Sequence, residues 1–362
     1  MKTEQIHIAM VAGEHSGDLI AAPLYAELRH RFPAAHFSGV GGPALTALGF
    51  PSLINMERLA VMGLVEVLRH LPDLWAAKRS LLRYWAEHPP TLFIGIDAPA
   101  FNLPLAATLH RRGTKTVHYV SPSLWAWKAG RIHKIKRAID LMLCLFPFET
   151  EIYRAAGVPA LAVGHPMRER LPRLSQAEAR AELQLPATAK ILGIFPGSRA
   201  GERARLGPVF RAVAQRLQAD GYQILTQPAP DLPADFLVRS GDSARLMLAS
   251  DVLLLKSGTI TLEAALLGRP MVVGHRVNPL TAAIARRLLT VKRFALPNIL
   301  LGADVVPERI QEHCTVPELV AALRQLDGPA QLTACQRLNE LLPANASATA
   351  AAAIATLLER PC

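Results

Sequence analysis

Aromatic residues, acids and cysteines are all scarce in this chain. Phe, Trp and Tyr together make up 6% of 362 residues, and 29 acids face 40 Lys and Arg. The four cysteines, Cys144, Cys314, Cys335 and Cys362, are far apart and form neither a CxxC pair nor a Cys/His spacing suited to metal. That pattern excludes a disulfide scaffold and a structural zinc module, and it suits a reducing cytosol. No apolar run reaches the ~18 residues of a membrane span. The opening MKTEQIHIAMVAG meets Glu14 too soon for a signal-peptide core, so a soluble or peripheral protein is expected. Helix-turn-helix, zinc-finger and RNA-binding signatures are missing as well, which argues against a nucleic-acid partner.

The sequence is instead rich in apolar and basic residues. Hydrophobic residues reach 51% with 19% charged, the composition of a compact globular protein. The formal charge is +11, and from His110 to Arg137 there are eight Lys or Arg and no acid. A basic surface of this kind suits an anionic membrane face or a phosphorylated substrate, or simply aids solubility.

Short apolar runs alternate with helical patterns. IHIAMVA, HFSGV, TLFIGI, KTVHYV and LMLCLF come first, then KILGIF, YQILTQ, DVLLL and PMVVG. This rhythm predicts parallel α/β structure with two Rossmann-like, doubly wound domains. Residues 171–186 mark the boundary, giving domains 1–172 and 173–340 and a helical tail 341–362. Ligands in such sheets bind beyond the carboxyl ends of the strands, so a cleft between the domains is expected.

Four segments carry polar residues where strands should end. VAGEHSGD follows the first strand and crowds Glu14, His15, Ser16 and Asp18 around Gly13 and Gly17. Asp97 ends TLFIGI, where it serves either as a proton acceptor or as an N-cap for the segment after Pro99. FPGSR places Gly197, Ser198 and Arg199 at the mouth of the second sheet, chemistry suited to pyrophosphate or to an ordinary turn. KSGTITLEAALLGRP reads as a turn at Ser257 and Gly258, a helix capped by Thr259, and Glu263 one turn on, placed to take ribose hydroxyls. Asn298 and Gln311 are expected near the same rim. VGHPMRE puts His165 on a turn at the domain junction. The stretch 56–90 mixes Val61, Met62, Leu64, Val65, Leu68 and Trp75 with basic residues, and it reads equally as a helix covering the sheet or as an interfacial membrane contact.

Taken in order, VAGEHSGD, GVGGPALTALGF, LAVMGLVEVL, GIDAPAFN, VSPSLWAWKAGRIHKIK, LFPFE, VGHP, PGSR, SGTITLEAAL, LPNIL and PERIQ resemble the lipid-A-disaccharide synthase family, family-19 glycosyltransferases of the GT-B type. The resemblance covers residues 6 to about 311. It implies transfer of a sugar from UDP-2,3-diacylglucosamine to 2,3-diacylglucosamine 1-phosphate (lipid X) in lipid A assembly, with inversion and without a cofactor or metal. It also implies a peripheral location on the cytoplasmic face of the inner membrane and admits a homodimer. The N-terminal domain then receives the acceptor and faces the membrane, and the C-terminal domain holds UDP.

On this reading Asp97 is the base. Gly197, Ser198, Arg199, Ser257, Gly258, Thr259, Glu263, Asn298 and Gln311 bind the donor. Gly13, Glu14, His15, Ser16, Trp125 and His165 line the acceptor side. The chain departs from the family pattern at His15, where Ala is usual, at Ala100, where Asp is usual, and at Met167 to Glu169, where an Asp follows GHP. A UDP-N-acetylglucosamine 2-epimerase-like enzyme and a non-catalytic nucleotide-lipid binding protein remain as alternatives at this point.

Overall fold

The computed structural model describes residues 6–59, 64–125, 129–228, 235–279, 282, 287 and 292–359. The chain forms two compact units, Met1–Glu169 with Pro343–Cys362, and Arg170–Leu342. The boundary expected at 172/173 therefore lies three residues earlier, and the expected separate tail is part of the first unit.

The first unit runs β1 (His7–Ala12), α1 (His15–Arg31), β2 (His36–Val40), α2 (Pro43–Ala47), α3 (Leu64–Glu87) and β3 (Leu92–Ile96). It continues through α4 (Pro99–His110), β4 (Lys115–Tyr119), α5 (Ile132–Lys136), β5 (Leu141–Cys144), α6 (Glu149–Ala155) and β6 (Ala160–Ala162). The chain leaves this unit within α7 (Met167–Arg170). The second unit holds α8 (Gln176–Glu182), β7 (Ile191–Phe195), α9 (Ala200–Gln218), β8 (Gln223–Thr226), β9 (Leu237–Val238) and α10 (Ser243–Ala249). After these come β10 (Val252–Lys256), α11 (Thr259–Leu266), β11 (Met271–His275), α12 (Leu296–Leu301), β12 (Glu308–Ile310), α13 (Val316–Arg324) and α14 (Gly328–Leu341). The last helix, α15 (Ala346–Glu359), packs on α1 in the first unit.

Each unit is built on a six-stranded sheet, ordered β2-β1-β3-β4-β5-β6 in the first and β12-β11-β10-β7-β8-β9 in the second, with every strand pair parallel. Strands such as β1, β3 and β7 are buried along their whole length, which explains their unbroken apolar sequences. Strand order reverses between β1 and β3 and again between β7 and β10. Such switch points open a crevice beyond the strand ends, where neighbouring connections diverge to opposite faces of the sheet. In register, Ala12 lies opposite Ile96 and Phe195 opposite Leu255, so both turns at each switch leave the sheet at the same level.

Helix α3 covers the sheet with one face, as the first of the two readings of its sequence expects. Ala77, Leu81 and Trp85, four residues apart, are buried against the sheet, and Trp85 Nε1 donates to Ser38 Oγ at 2.9 Å. Leu71 and Trp75 stand on another face and are exposed, Trp75 by 74%. Val61 and Met62 lie outside the described residues, as do the side chains of Leu64, Val65 and Leu68.

The final helix is fastened to the first unit at both ends. Glu169 accepts from Ser347 N at 2.8 Å and Ser347 Oγ at 2.7 Å, and Lys115 Nζ donates to the carbonyls of Leu357 and Leu358 at 2.9 and 3.3 Å. These contacts satisfy backbone and side-chain groups at the helix ends that would otherwise lack partners. They also give Glu169, one of the departures in the segment after GHP, a structural task. Residues 328–359 contain an 18-residue window of mean hydropathy 1.5, so by length and composition an apolar stretch of membrane length is present where none was expected; the stretch carries two helices of 14 residues each.

Candidate active site

At the β1/β3 switch the two glycines of VAGEHSGD have a steric purpose. A Cβ on Gly13 would come within 2.8 Å of Ala98 Cβ, and one on Gly17 within 3.4 Å of Ile96 O. Their absence lets the start of α1 press against the end of β3. Glu14 is the extended N-cap residue of α1, and His15 and Ser16 are exposed on its first turn. Ser16 Oγ donates to Asp97 Oδ2 at 3.5 Å, which joins the two predicted segments.

Asp97 and Ala98 both adopt left-handed backbone, with φ of 53° and 39°. Two consecutive non-glycine residues in that region are strained, and such strain persists where the surroundings fix it. Asn102 supplies the fixing: its Nδ2 lies 2.9 Å from Asp97 O and 3.2 Å from both Ile96 O and Val11 O. Burial lifts the Asp97 carboxyl above the ordinary carboxylate range, while the Ala98 backbone N–H and the Ser16 hydroxyl pull the other way. Asp97 is therefore a half-buried carboxylate with enhanced basicity at the mouth of the sheet. Ala98, with no side-chain cap bond, is the N-cap of α4, so Asp97 itself is not that cap.

Asp18, in the first turn of α1, serves the next helix. It is fully buried on α1 and accepts the N–H groups of Gly42, Ala44 and Leu45 at 2.8, 2.7 and 3.2 Å. It thus caps α2 from a neighbouring element.

A second polar cluster lies beyond β4 and β5. Glu149, buried at the start of α6, accepts Phe146 N–H at 3.1 Å and also bonds to Ser121 and Trp125. Ser121 Oγ in turn lies 2.8 Å from Tyr153 OH. Burial raises the Glu149 carboxyl to about 7 against those hydrogen bonds. Trp125 meets Phe148 edge-on at 5.6 Å. His165 is buried near Phe146, and its Nδ1 accepts Met167 N–H at 3.1 Å, so it shapes the start of α7. Sequence reasoning picked out Trp125 and His165 and gave no role to Glu149, although it closes the LFPFE motif.

In the second unit, the PGSR and SGT segments leave β7 and β10 at the switch. Gly197 has φ of 117° and Gly258 has φ of 149°, conformations that favour glycine. Arg199 is the N-cap residue of α9, with its side chain 58% exposed. The N-cap of α11 is Gly258, which corrects the expectation for Thr259: Thr259 is the first helical residue, and Thr261 Oγ1 donates to Gly258 O at 2.8 Å. Ser257 Oγ donates to Phe294 O at 2.8 Å and so bonds to the segment before α12.

Glu263 accepts from Ser243 Oγ at 3.2 and 3.3 Å, and burial, then Asp242, raises its carboxyl to about 7. Asn298 is 1% exposed, and its carboxamide pairs with both backbone groups of Val306 and with Glu308. Gln311 spends its carboxamide on the backbone of Val277, accepting at 2.8 Å and donating at 3.4 Å. Asn298 and Gln311 therefore brace the loops at this rim, a role that the sequence alone did not separate from ligand contact.

A family model described as lipid-A-disaccharide synthetase matches residues 8–341 of this chain. The chain belongs to the lipid-A-disaccharide synthase family. Members named lipid-A-disaccharide synthase from Alcanivorax borkumensis and Pseudomonas aeruginosa are each 44% identical to it, covering 97% and 97%, and 98% and 99%, of this chain and of the relative. The Aeromonas hydrophila synthase is 40% identical over 99% of this chain and all of its own length. Among solved structures, the calicheamicin glycosyltransferase CalG4 superposes with TM-score 0.66 at 16% identity, covering 99% of each chain. MurG of Acinetobacter baumannii gives 0.61 at 14% identity over 97% of this chain and 99% of its own. UDP-GlcNAc 2-epimerase from Neisseria meningitidis gives 0.64 at 12% identity over 98% and 100%. These likenesses establish the GT-B fold, which synthases and epimerases share. The family match separates them, and it makes the chain a glycosyltransferase of lipid A biosynthesis.

Proposed function

We propose that the chain joins UDP-2,3-diacylglucosamine to 2,3-diacylglucosamine 1-phosphate, giving the β-1,6-linked disaccharide 1-phosphate and UDP. The observation that carries the site assignment is Asp97: a strained, half-buried carboxylate of raised basicity at a topological switch point. Asp97 takes the proton of the acceptor 6-hydroxyl as its oxygen attacks the donor's anomeric carbon. The bond from that carbon to the diphosphate oxygen breaks, its electron pair leaves with UDP, and the anomeric centre inverts. General-base assistance of this kind contributes about 10²–10⁴-fold.

Arg199 and the N-terminal turns of α9 and α11 offset the charge that develops on the departing diphosphate. Glu263, ionised above pH 7 or when hydroxyls bind it, takes the ribose. Glu14, His15 and Ser16 stand on the first turn of α1 beside Asp97, where they orient sugar hydroxyls. The exposed face of α3 around Trp75 gives the first unit a place to meet the cytoplasmic face of a membrane, which is where diacylated substrates reside.

Disaccharide and UDP formation from the diacylated pair tests this reading, with UDP-N-acetylglucosamine as control donor. Product from the acylated pair alone is expected. A folded, UDP-binding protein that forms no disaccharide would overturn it.

A further inference from the structure

Lys256 closes β10, one residue before the Ser257–Gly258 turn. Its Nζ donates to Glu202 Oε1 at 2.9 Å, and Arg199 Nη1 donates to the same oxygen at 3.2 Å. A Cβ on Gly258 would lie 3.6 Å from Lys256 Nζ, so the ammonium sits beside the N-terminus of α11. A Cβ on Gly197 would meet Glu202 Oε2 at 2.5 Å, so the shared carboxylate lies against the turn that leaves β7. Two cations and two positively polarised helix N-termini thus gather at one switch point around a single carboxylate.

That arrangement is electrostatically unbalanced. A structural ion pair needs one cation per carboxylate, and a cation at a helix N-terminus is placed against the dipole. His275 at the end of β11 responds to the same field: burial, and then Lys256, lower its imidazole to about 4, so it is neutral near pH 7 and adds no third charge. The surplus positive charge suits an anion with more than one negative group.

We propose that Lys256 is a donor-binding residue that holds the diphosphate of the nucleotide sugar together with Arg199, while Glu202 keeps the two cations in place. The inference rests on the assignment of the β7/β10 switch as the donor site. A lysine ammonium is a compact charge with three donors, of which Glu202 engages one, leaving others for phosphate oxygens. Lys256 therefore discriminates by charge: it strengthens UDP binding and leaves uridine binding unchanged.

Calorimetric titration of UDP and uridine into the wild-type chain, Lys256→Gln and Lys256→Arg tests this. Lys256→Gln is expected to weaken UDP binding on the order of tenfold to a hundredfold, as for a hydrogen bond to a charged group, with uridine binding retained. Lys256→Arg is expected to keep most of the UDP affinity. Equal loss of UDP and uridine, or no loss of UDP, overturns the role of Lys256 while leaving the donor site standing. Failure of the wild-type chain to bind UDP overturns both. If Lys256→Gln does not fold, amine-directed acetylation of the wild-type protein decides: UDP, but not uridine, should shield Lys256, and equal labelling with either refutes the proposal.

Discussion

Ser16 Oγ donates to Asp97 Oδ2 at 3.5 Å, across the point where the first sheet reverses its strand order. The bond links α1, whose start is pressed inward by Gly13 and Gly17, to the strained end of β3. It is long, and its geometry leaves the carboxylate available to a better donor. An acceptor hydroxyl brought between the two residues would replace a weak contact with a short one.

Asp97→Asn is the informative substitution here. With φ of 53°, the position favours Asp, Asn or Gly, so Ala would add backbone strain to the loss of the carboxylate. Asn keeps the shape and removes the base. Turnover is expected to fall about 10²–10⁴-fold with UDP binding unchanged. Near-normal turnover in Asp97→Asn would move the base to another residue, with Glu14 the first to examine.

Asp18 yields the opposite phenotype. Three backbone N–H groups at the start of α2 depend on its carboxylate, those of Gly42 and Leu45 in buried bonds and that of Ala44 in a half-buried one. Asp18→Ala leaves them unsatisfied, at a cost of about 3 kcal/mol or more in stability. A lowered urea midpoint is the expected result. A variant with wild-type stability but no activity would instead place Asp18 in the reaction.

Much of this architecture is legible in the sequence, and the omissions have physical reasons. All nine apolar runs became strands because a parallel strand buried on both faces needs an unbroken apolar stretch. The three strands left unread, β6, β9 and β12, have two or three residues each, lie away from the centres of their sheets and bury less. The glycine turns and Asp97 could be placed because strand ends locate them. Asn102, Glu149, Glu202 and Lys256 could not be, since each acts through a partner distant in sequence or one helical turn away. Asp18 shows the converse: it sits in a recognisable motif, yet its partners are 24 to 27 residues on.

The pH dependence of stability should report Glu149. Its carboxyl titrates near 7 in the folded chain against an ordinary value of 4.5. The folded state therefore binds the proton more tightly than the unfolded one between those values. Stability is highest below the unfolded value and is lost as pH rises through about 7, by up to about 3 kcal/mol. Glu149→Gln removes this component, so its urea midpoint should change less than the wild type's between pH 5 and pH 8. Parallel profiles for the two proteins would show that Glu149 is ionised in the fold throughout.

Trp75 tests the membrane reading independently of catalysis. It is 74% exposed on α3, with the exposed Leu71 one turn before it, while Ala77, Leu81 and Trp85 hold the same helix to the sheet. An indole buries on the order of 200 Å² when it enters an apolar phase, and at about 25 cal/mol per Å² full insertion is worth a few kcal/mol. Trp75→Ser should therefore weaken binding to anionic phospholipid vesicles by at least about tenfold while leaving the thermal midpoint unchanged. Raising salt should weaken both proteins further, because the net charge of +11 contributes separately. Equal vesicle binding by the two proteins at every salt concentration would remove α3 from the membrane contact and leave the basic surface as its sole source.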